Sequence, residues 1–227
     1  MTTARNDMAE TATSRSNVYG LLATVFRAEP SAAFLARLKS PEFADVLESL
    51  DLSLGEDFHD SPCEKLVEDL AVEYTRLFIG PGPHVSPHES VNIETHDAME
   101  ATLWGPQTVK VKKFIEAAGL EYDESFSGMP DHVTAELEFM QRLAAKEAEV
   151  WAIPNEEFVT NILKIEERFL DEHLSRWASR FCDKVNEMSR HSFYKVFAEV
   201  TKDFVEYEGK NLQAFIAGAG NREGDSD

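Results

Sequence analysis

A loop rich in imidazoles and carboxylates holds the densest group of side chains that could do chemistry in this sequence. The segment from Gly80 to His96 reads GPGPHVSPHESVNIETH, and its first eight residues hold three prolines and two glycines, which excludes a regular helix. Its side chains could in principle bind zinc or another divalent cation. The candidates are His84, His88, Glu89, Glu94, His96 and Asp97. Their spacing on a Pro-rich loop is equally typical of solvated side chains, so we predict no metal site.

A second candidate group lies where a long helical pattern begins. Asp131 and His132 follow Pro130, and a carboxylate there favours a helix start through capping and through the helix dipole. We therefore expect Asp131 to be an N-cap, with His132 turned toward whatever the neighbouring loops enclose. Glu136 and Glu138 follow on the same helix, and we expect them on a solvated face.

Sequence signatures of catalysis are missing. The Glu-x-x-His spacing that di-iron bundles require occurs at Glu56 and His59, in a Gly/Asp-rich loop where such a site would not form. No phosphate-binding glycine motif, zinc-protease motif or nucleophile elbow is present. Cys63 and Cys182 lie within helical patterns, where buried thiols are the usual finding. We predict a protein that is not an enzyme and that needs no cofactor.

Helical periodicity dominates the elements that would position these groups. Val18, Leu21, Leu22 and Val25 follow the i, i+3, i+4, i+7 spacing of an amphipathic helix, and similar stripes recur through most of the chain. No segment alternates with period two for long enough to indicate a strand. Ser31 is a predicted N-cap and Gly119 a predicted C-cap. The predicted fold class is all-α, a single domain of roughly eight to ten helices.

The composition of the two ends predicts the limits of that domain. Residues 1–14 and 218–227 are polar, and we expect them to be disordered tails around a helical domain at 15–217. We expect residues 51–60 to form a loop. The apolar residues at 212, 215 and 216 predict a short separate helix before the C-terminal tail.

The charge of the chain limits the classes of partner that it can bind. Lys and Arg total 22 against 42 Asp and Glu, which gives a formal net charge of −20. Because such a surface repels phosphate backbones and anionic lipid heads, we predict no nucleic-acid partner and no membrane insertion, and a cationic partner stays open. The first residues lack the apolar stretch of a secretory signal, and the two cysteines give no disulfide framework, so we expect a cytoplasmic protein.

Several separated pieces of sequence together resemble one family, the molybdoenzyme-specific chaperones of the TorD/DmsD/NarJ type, and its TorD/DmsD branch most closely. The resemblance covers roughly residues 15–208. The pieces are YTRLFIGPG from Tyr74, PHESV from Pro87, LWG from Leu103, PDH from Pro130, EHL from Glu172 with Trp177 and Phe181, and HSFY from His191.

The resemblance implies a function as well as an all-helical fold. Members bind the catalytic subunit of a molybdopterin oxidoreductase, often through its twin-arginine signal peptide. They hold that subunit in the cytoplasm while the molybdenum cofactor is inserted, and so delay export. They do no covalent chemistry, and they exist as monomers or as domain-swapped dimers.

The resemblance also implies which residues form the peptide-binding and client-binding surface. That surface would combine apolar anchors with an acidic corner at Asp131, supported by loop carboxylates that face the leader's arginines. The residues are Tyr74, Leu77, Phe78, Pro87, His88, Glu89, Ser90, Gly105, Asp131 and His132. Relatives carry aromatic residues where this chain has Gly82, His88 and Asn92, so we expect a groove that is less aromatic and more polar.

Two alternatives stay open beside the chaperone interpretation. One is a helical adaptor with a different protein client. The other, less favoured, is a metal-dependent enzyme that uses His84, His88 and His96.

Overall fold

All regular structure in the described part of the chain is helical. The computed structural model describes residues 2–50, 52–94, 102–119, 128–153 and 155–220. Within these ranges, β-type pairing is limited to one isolated antiparallel bridge between His88 and His132. The predicted all-α fold class is confirmed. None of the helices in the described ranges combines the length and the apolar content that a membrane crossing requires.

The helices follow one another through short connections. In chain order they are α1 (Thr2–Arg27), α2 (Ala32–Leu38), α3 (Pro41–Ser49), α4 (Glu56–His59), α5 (Cys63–Tyr74), α6 (Glu89–Asn92), α7 (Pro106–Ala117), α8 (Val133–Trp151), α9 (Glu156–Glu172), α10 (Ala178–Met188) and α11 (Ser192–Gly220). A π-helical turn, Thr75–Ile79, continues α5, and a 3-10 turn, Leu174–Arg176, precedes α10.

Several helix ends follow from local sequence. The Ser31 hydroxyl accepts the N–H of Phe34 at the start of α2, and the Asn155 side chain accepts the N–H of Phe158 at the start of α9. Gly119 follows α7 with a φ of +72°, a conformation that glycine adopts without a Cβ penalty. The prediction of Ser31 as an N-cap is confirmed, whereas the C-cap of α7 is Ala118 and Gly119 is the left-handed residue that follows it.

Three boundaries differ from the sequence prediction. Residues 2–14 form the first half of α1 instead of a disordered tail, and Arg5 there donates from Nε to the carbonyl of Trp151 at 3.1 Å. The expected loop at 51–60 contains α4, whose Phe58 is fully buried. Residues 212–216 continue α11 without a break. In each case contacts with distant segments stabilise a helix that local sequence specifies only weakly.

Aromatic side chains join the N-terminal helices to the C-terminal ones. Trp177 and Phe181 are fully buried, and the Phe181 ring lies 5.4 Å from that of Phe26 on α1 and 6.2 Å from that of Phe78. α1 packs along α8, and α11 packs against α9 and α10. This aromatic contact therefore links α1, the end of α5 and α10 in one core.

A buried arginine ties four helices together. Arg15 on α1 donates to Glu147 on α8, Glu166 on α9 and Glu208 on α11, and all four side chains are almost inaccessible to solvent. The hydroxyl of Tyr19 donates to Glu208 at 3.0 Å. One cation faces three carboxylates, so burial, with the charge of Glu147, raises the pKa of Glu166 to about 8 despite the opposing effect of Arg15.

We expect Glu166→Gln to change how stability depends on pH. The folded-state pKa of about 8 exceeds the ordinary value of 4.5, so the stabilising contribution of Glu166 is full below pH 4.5 and is lost as pH rises through 8. Each proton contributes a slope of at most about 1.4 kcal/mol per pH unit. E166Q should therefore gain stability relative to the wild type across this window, as measured by urea unfolding.

The half-buried neighbour Glu167 supplies the matched control, because it lies on the same helix but outside the Arg15 cluster. E167Q should follow the wild-type pH profile. An E166Q stability profile that runs parallel to that of the wild type across this pH range would contradict a raised pKa of Glu166.

Candidate functional site

The loop that follows α5 is held between the end of that helix and the start of α8. Val85 donates its N–H to the carbonyl of Leu77 at 2.7 Å, and Val133 donates its N–H to the carbonyl of Pro87 at 2.8 Å. Beyond Pro87 the loop enters the single turn of α6. The predicted site segments around 74–78, 87–90 and 131–132 are therefore brought together.

Asp131 is a buried anchor for α6 and not the N-cap of α8. Its carbonyl accepts the N–H of Glu89 at 2.9 Å, and its carboxylate oxygen Oδ2 accepts the N–H of Ser90 at 3.1 Å. The N-cap is His132, whose Nδ1 accepts the N–H of Thr134 at 3.1 Å. The expected cap was wrong by one residue. Both side chains can cap a helix, but Asp131 instead accepts hydrogen bonds from the first N–H groups of α6.

His88 and His132 face each other across the antiparallel bridge. Their rings meet edge to face with centroids 5.0 Å apart, and the Ser86 hydroxyl lies 3.2 Å from His88 Nδ1. Burial lowers the pKa of both imidazoles, and for His132 the neighbouring His88 adds to the effect and brings the pKa to about 4. The pair is therefore neutral near pH 7.

A buried acidic cluster lies beneath α6. Glu89 is fully buried and accepts from Gln107 Nε2 on α7 at 2.5 Å, and its Oε2 lies 3.1 Å from His173 Nδ1. Glu136 is also fully buried and accepts from Trp177 Nε1 at 3.1 Å. Burial, together with the charge of Glu89, raises the pKa of Glu136 well above its ordinary value.

The sequence expectation for these carboxylates was wrong. Glu136 does not lie on a solvated face, and Glu89 does not face solvent where a leader's arginines could reach it. Glu138 is nearer to the expectation, since its side chain is only partly buried and pairs with exposed Arg27. Of the loop carboxylates, Glu94 is exposed and pairs with Arg180, and Asp97 lies outside the described residues.

The predicted site residues lie close together, but most of them face inward. His88, Gly105 and His132 are half-buried. The buried ones are Tyr74, Leu77, Phe78, Pro87, Glu89, Ser90 and Asp131. Most of the predicted set therefore supports a surface from below and does not itself form the surface.

We give the name α6–α7 face to the exposed apolar side chains of α6, of α7 and of the residues just before α7: Val91, Leu103, Trp104 and Val109. α6 and α7 pack against each other, and Gln107 bonds to Glu89 between them. Trp104 is 71% exposed, and its φ of +61° places a bulky residue in the left-handed region, which is rare and costs about 1–3 kcal/mol. An exposed indole on a strained backbone makes this face a candidate binding surface.

Asn92, expected to make a groove more polar, is buried beneath the loop instead. Its Nδ2 donates to the carbonyls of Ser86 and His88 at 2.7 and 2.9 Å, and its Oδ1 accepts from Lys184 at 2.9 Å. An aromatic side chain could not make these bonds. The departure from the family pattern therefore changes how the loop is held, while Gly82 is exposed with open space around it.

The histidines of the metal alternative have different surroundings. His84 is exposed, with Nδ1 3.1 Å from the carbonyl oxygen of Gly82, whereas His88 packs on His132. His96 lies outside the described residues. Within the described ranges, no three or more His, Cys, Asp or Glu side chains are grouped as a metal ion requires.

Three residues of the site were not predicted as site residues. Trp104 and His173 lie in segments that the family resemblance includes, LWG and EHL, but neither was selected there. Gln107 had no local signal, since a glutamine in the first turn of a helix is ordinary. Its importance appears only when α7 is placed beside α6.

Fold and site together define an all-helical domain with an exposed apolar face above a buried polar cluster. Residues 37–183 match the family described as nitrate reductase delta subunit, so the chain belongs to that family. The predicted kinship with the TorD/NarJ chaperones is confirmed by this match and by the curated relatives that follow.

The chain is similar to TorD chaperones and to one reductase assembly protein. It is 25% identical over 204 residues to the chaperone protein TorD of Shewanella piezotolerans, covering 84% of this chain and 88% of that protein. It is 27% identical over 203 residues to a perchlorate reductase assembly chaperone protein of Dechloromonas aromatica, covering 85% and 87%. A crystal structure assigned as a redox enzyme maturation protein of Archaeoglobus fulgidus shares the fold, with a TM-score of 0.51 at 22% identity over 85% and 93% of the two chains.

Asp131→Ala should release the loop without unfolding the domain. The substitution leaves the Ser90 N–H without its acceptor, at a cost of about 1–3 kcal/mol, and keeps the backbone bond to Glu89. We expect faster amide hydrogen exchange at 85–93 and an unchanged helical circular dichroism spectrum. Asp183→Ala, which removes an exposed partner of Lys202, is the control. Equal exchange throughout the two variants would contradict an anchoring role.

His132→Asn should make the domain less sensitive to acid. The pKa of His132 is 6.5 in the unfolded chain and about 4 in the folded protein. The stabilising contribution of the neutral ring is therefore present above pH 6.5 and is lost as pH falls from 6.5 toward 4. Asparagine keeps the N-cap but does not titrate. We expect H132N to lose less stability than the wild type in this window, by thermal unfolding. The exposed His84 provides a control, H84N, that should behave as the wild type; if H132N does too, the shift is absent.

Proposed function

We propose that this chain is a cytoplasmic maturation chaperone for the catalytic subunit of a molybdopterin oxidoreductase. It binds that subunit and its twin-arginine signal peptide, supports insertion of the molybdenum cofactor, and delays export until assembly is complete. Membership of the nitrate reductase delta subunit family supports the proposal, and so do the chaperone and assembly names of its relatives. The role requires binding and release, and no covalent chemistry.

The observation that carries the proposal is the α6–α7 face. It carries four exposed apolar side chains, with Trp104 the most exposed, and the Ser90 backbone beside Val91 is anchored from below by Asp131. An apolar stretch of a signal peptide gains free energy by burying such side chains, at about 25 cal/mol per Å². A rigid aromatic residue is the type of residue that dominates peptide recognition.

The negative charge of the chain suits the paired arginines of a twin-arginine leader. The net charge of −20 attracts a dicationic segment over distances near the Debye length, and the exposed Glu94 lies two residues beyond α6. Arginine pairs with carboxylates through two parallel hydrogen bonds. In this proposal the half-buried His88, Gly105 and His132 line the approach, and the buried site residues hold the face in position.

Trp104→Ala should weaken leader binding by about 10- to 30-fold, because a truncated aromatic hot spot costs about 2 kcal/mol. Calorimetry with the twin-arginine leader peptides of the molybdopterin oxidoreductases encoded in the same genome measures this. Phe158→Ala is the control: Phe158 is 52% exposed and lies 15 residues before His173 along α9, about 22 Å away along the helix axis. The proposal fails if no leader and no catalytic subunit binds, or if both variants weaken binding equally.

A further inference from the structure

A cavity of about 550 Å³ opens between α7 and the C-terminal part of α9, apart from the α6–α7 face. Its apolar wall consists of Phe114 and Ala117 of α7, the following Ala118, and Ile165 of α9. Its volume falls in the range of about 300–1,000 Å³ that small-molecule sites occupy. The cavity is therefore large enough for a small organic ligand.

The charge of this cavity is opposite to that of the chain. Its lining includes four cations, Lys110, Lys113, Arg168 and Arg176, and one carboxylate, Glu172. In the whole sequence acidic residues outnumber basic ones by 42 to 22, so a lining with four basic groups and one acid is a local reversal. Such a cavity concentrates anions in an otherwise repulsive field.

Most of these cations have no neutralising partner within the described ranges. Arg168 pairs with Glu172 at 3.1 Å, and its guanidinium lies 5.1 Å from the centre of the Phe114 ring. Lys110, Lys113 and Arg176 have no ion-pair partner among the described residues. Three lysine and arginine side chains therefore line one cavity without an ion pair to any residue that the structure describes.

The inner end of the cavity carries a fixed imidazole. His173 is 3% exposed, and its Nδ1 lies 3.1 Å from Glu89, which Gln107 also holds. Within the described part of the chain its Nε2 has no hydrogen-bond partner. Because Nδ1 is held against a carboxylate, the orientation of the imidazole ring at the cavity is fixed.

We propose that this cavity binds a small organic polyanion, a molecule with two or more phosphate or carboxylate groups on an apolar or aromatic body. Lys110, Lys113 and Arg176 bind the oxyanions, and the body packs on Phe114 and Ile165. A leader with paired arginines is repelled from the same cavity. The site is therefore separate from the α6–α7 face and takes a ligand of opposite charge.

Calorimetry and thermal unfolding of the full chain at low salt test this with two probes. Inorganic diphosphate represents phosphate ligands, and benzene-1,3,5-tricarboxylate represents carboxylates on an aromatic body. We expect at least one probe to bind one to one and to raise the unfolding temperature, with affinity that falls as salt is added. The better probe identifies the preferred oxyanion. No binding of either probe at millimolar concentration overturns the proposal.

Charge reversal locates the site. Lys113→Glu and Arg176→Glu should each raise Kd about tenfold or more. Lys112→Glu is the matched control, because Lys112 is exposed on the same helix but does not line the cavity. An equal loss in K112E would show unspecific attraction and overturn the proposal. Because the probes bind the chaperone alone, failure here leaves leader binding untouched, and failure of leader binding leaves this test intact.

Discussion

A single buried residue fixes the start of α6 from a distant part of the chain. Asp131 offers its carbonyl to Glu89 and its carboxylate to Ser90. A helix of four residues cannot stabilise itself, because nucleation costs more than one turn of hydrogen bonds returns. The position of α6 therefore depends on Asp131 and on Asn92, which binds the loop carbonyls. Val91 on the apolar face and Glu89 beneath it are placed by this attachment.

The acidic residues occupy two different environments in the fold. Most carboxylates lie at the surface, but a group of glutamates is buried with dedicated donors. They are Glu73, Glu89, Glu136, Glu147, Glu166 and Glu208. Arg15 neutralises part of this group, and burial raises the pKa of Glu136, which favours its neutral form. The formal charge of −20 therefore overstates the charge that a partner meets at the surface, where only exposed acids can meet an incoming cation.

Two surfaces of opposite character lie on either side of the Glu89 cluster. Above it, α6 carries part of an exposed apolar face; beside it, Gln107 and His173 line a cavity with excess positive charge. Glu89, on α6, contacts both Gln107 and His173 of the cavity. One buried carboxylate therefore helps to position both surfaces. If both proposals hold, electrostatic repulsion keeps a cationic leader out of the positively charged cavity.

The sequence by itself determined the helical class, the N-cap at Ser31, the end of α7 near Gly119, and which segments meet around the site, because periodicity and capping are local and the family resemblance marks the segments. The tertiary structure decided which polar side chains are buried. A glutamate on a helix looks solvated unless its donor is known, and Trp177 lies 41 residues from Glu136 while Arg15 reaches partners 132 to 193 residues away. The same holds for Asp131, whose bond to Ser90 spans 41 residues. Burying a polar group requires a specific partner, and only the packed fold supplies one from so far along the chain.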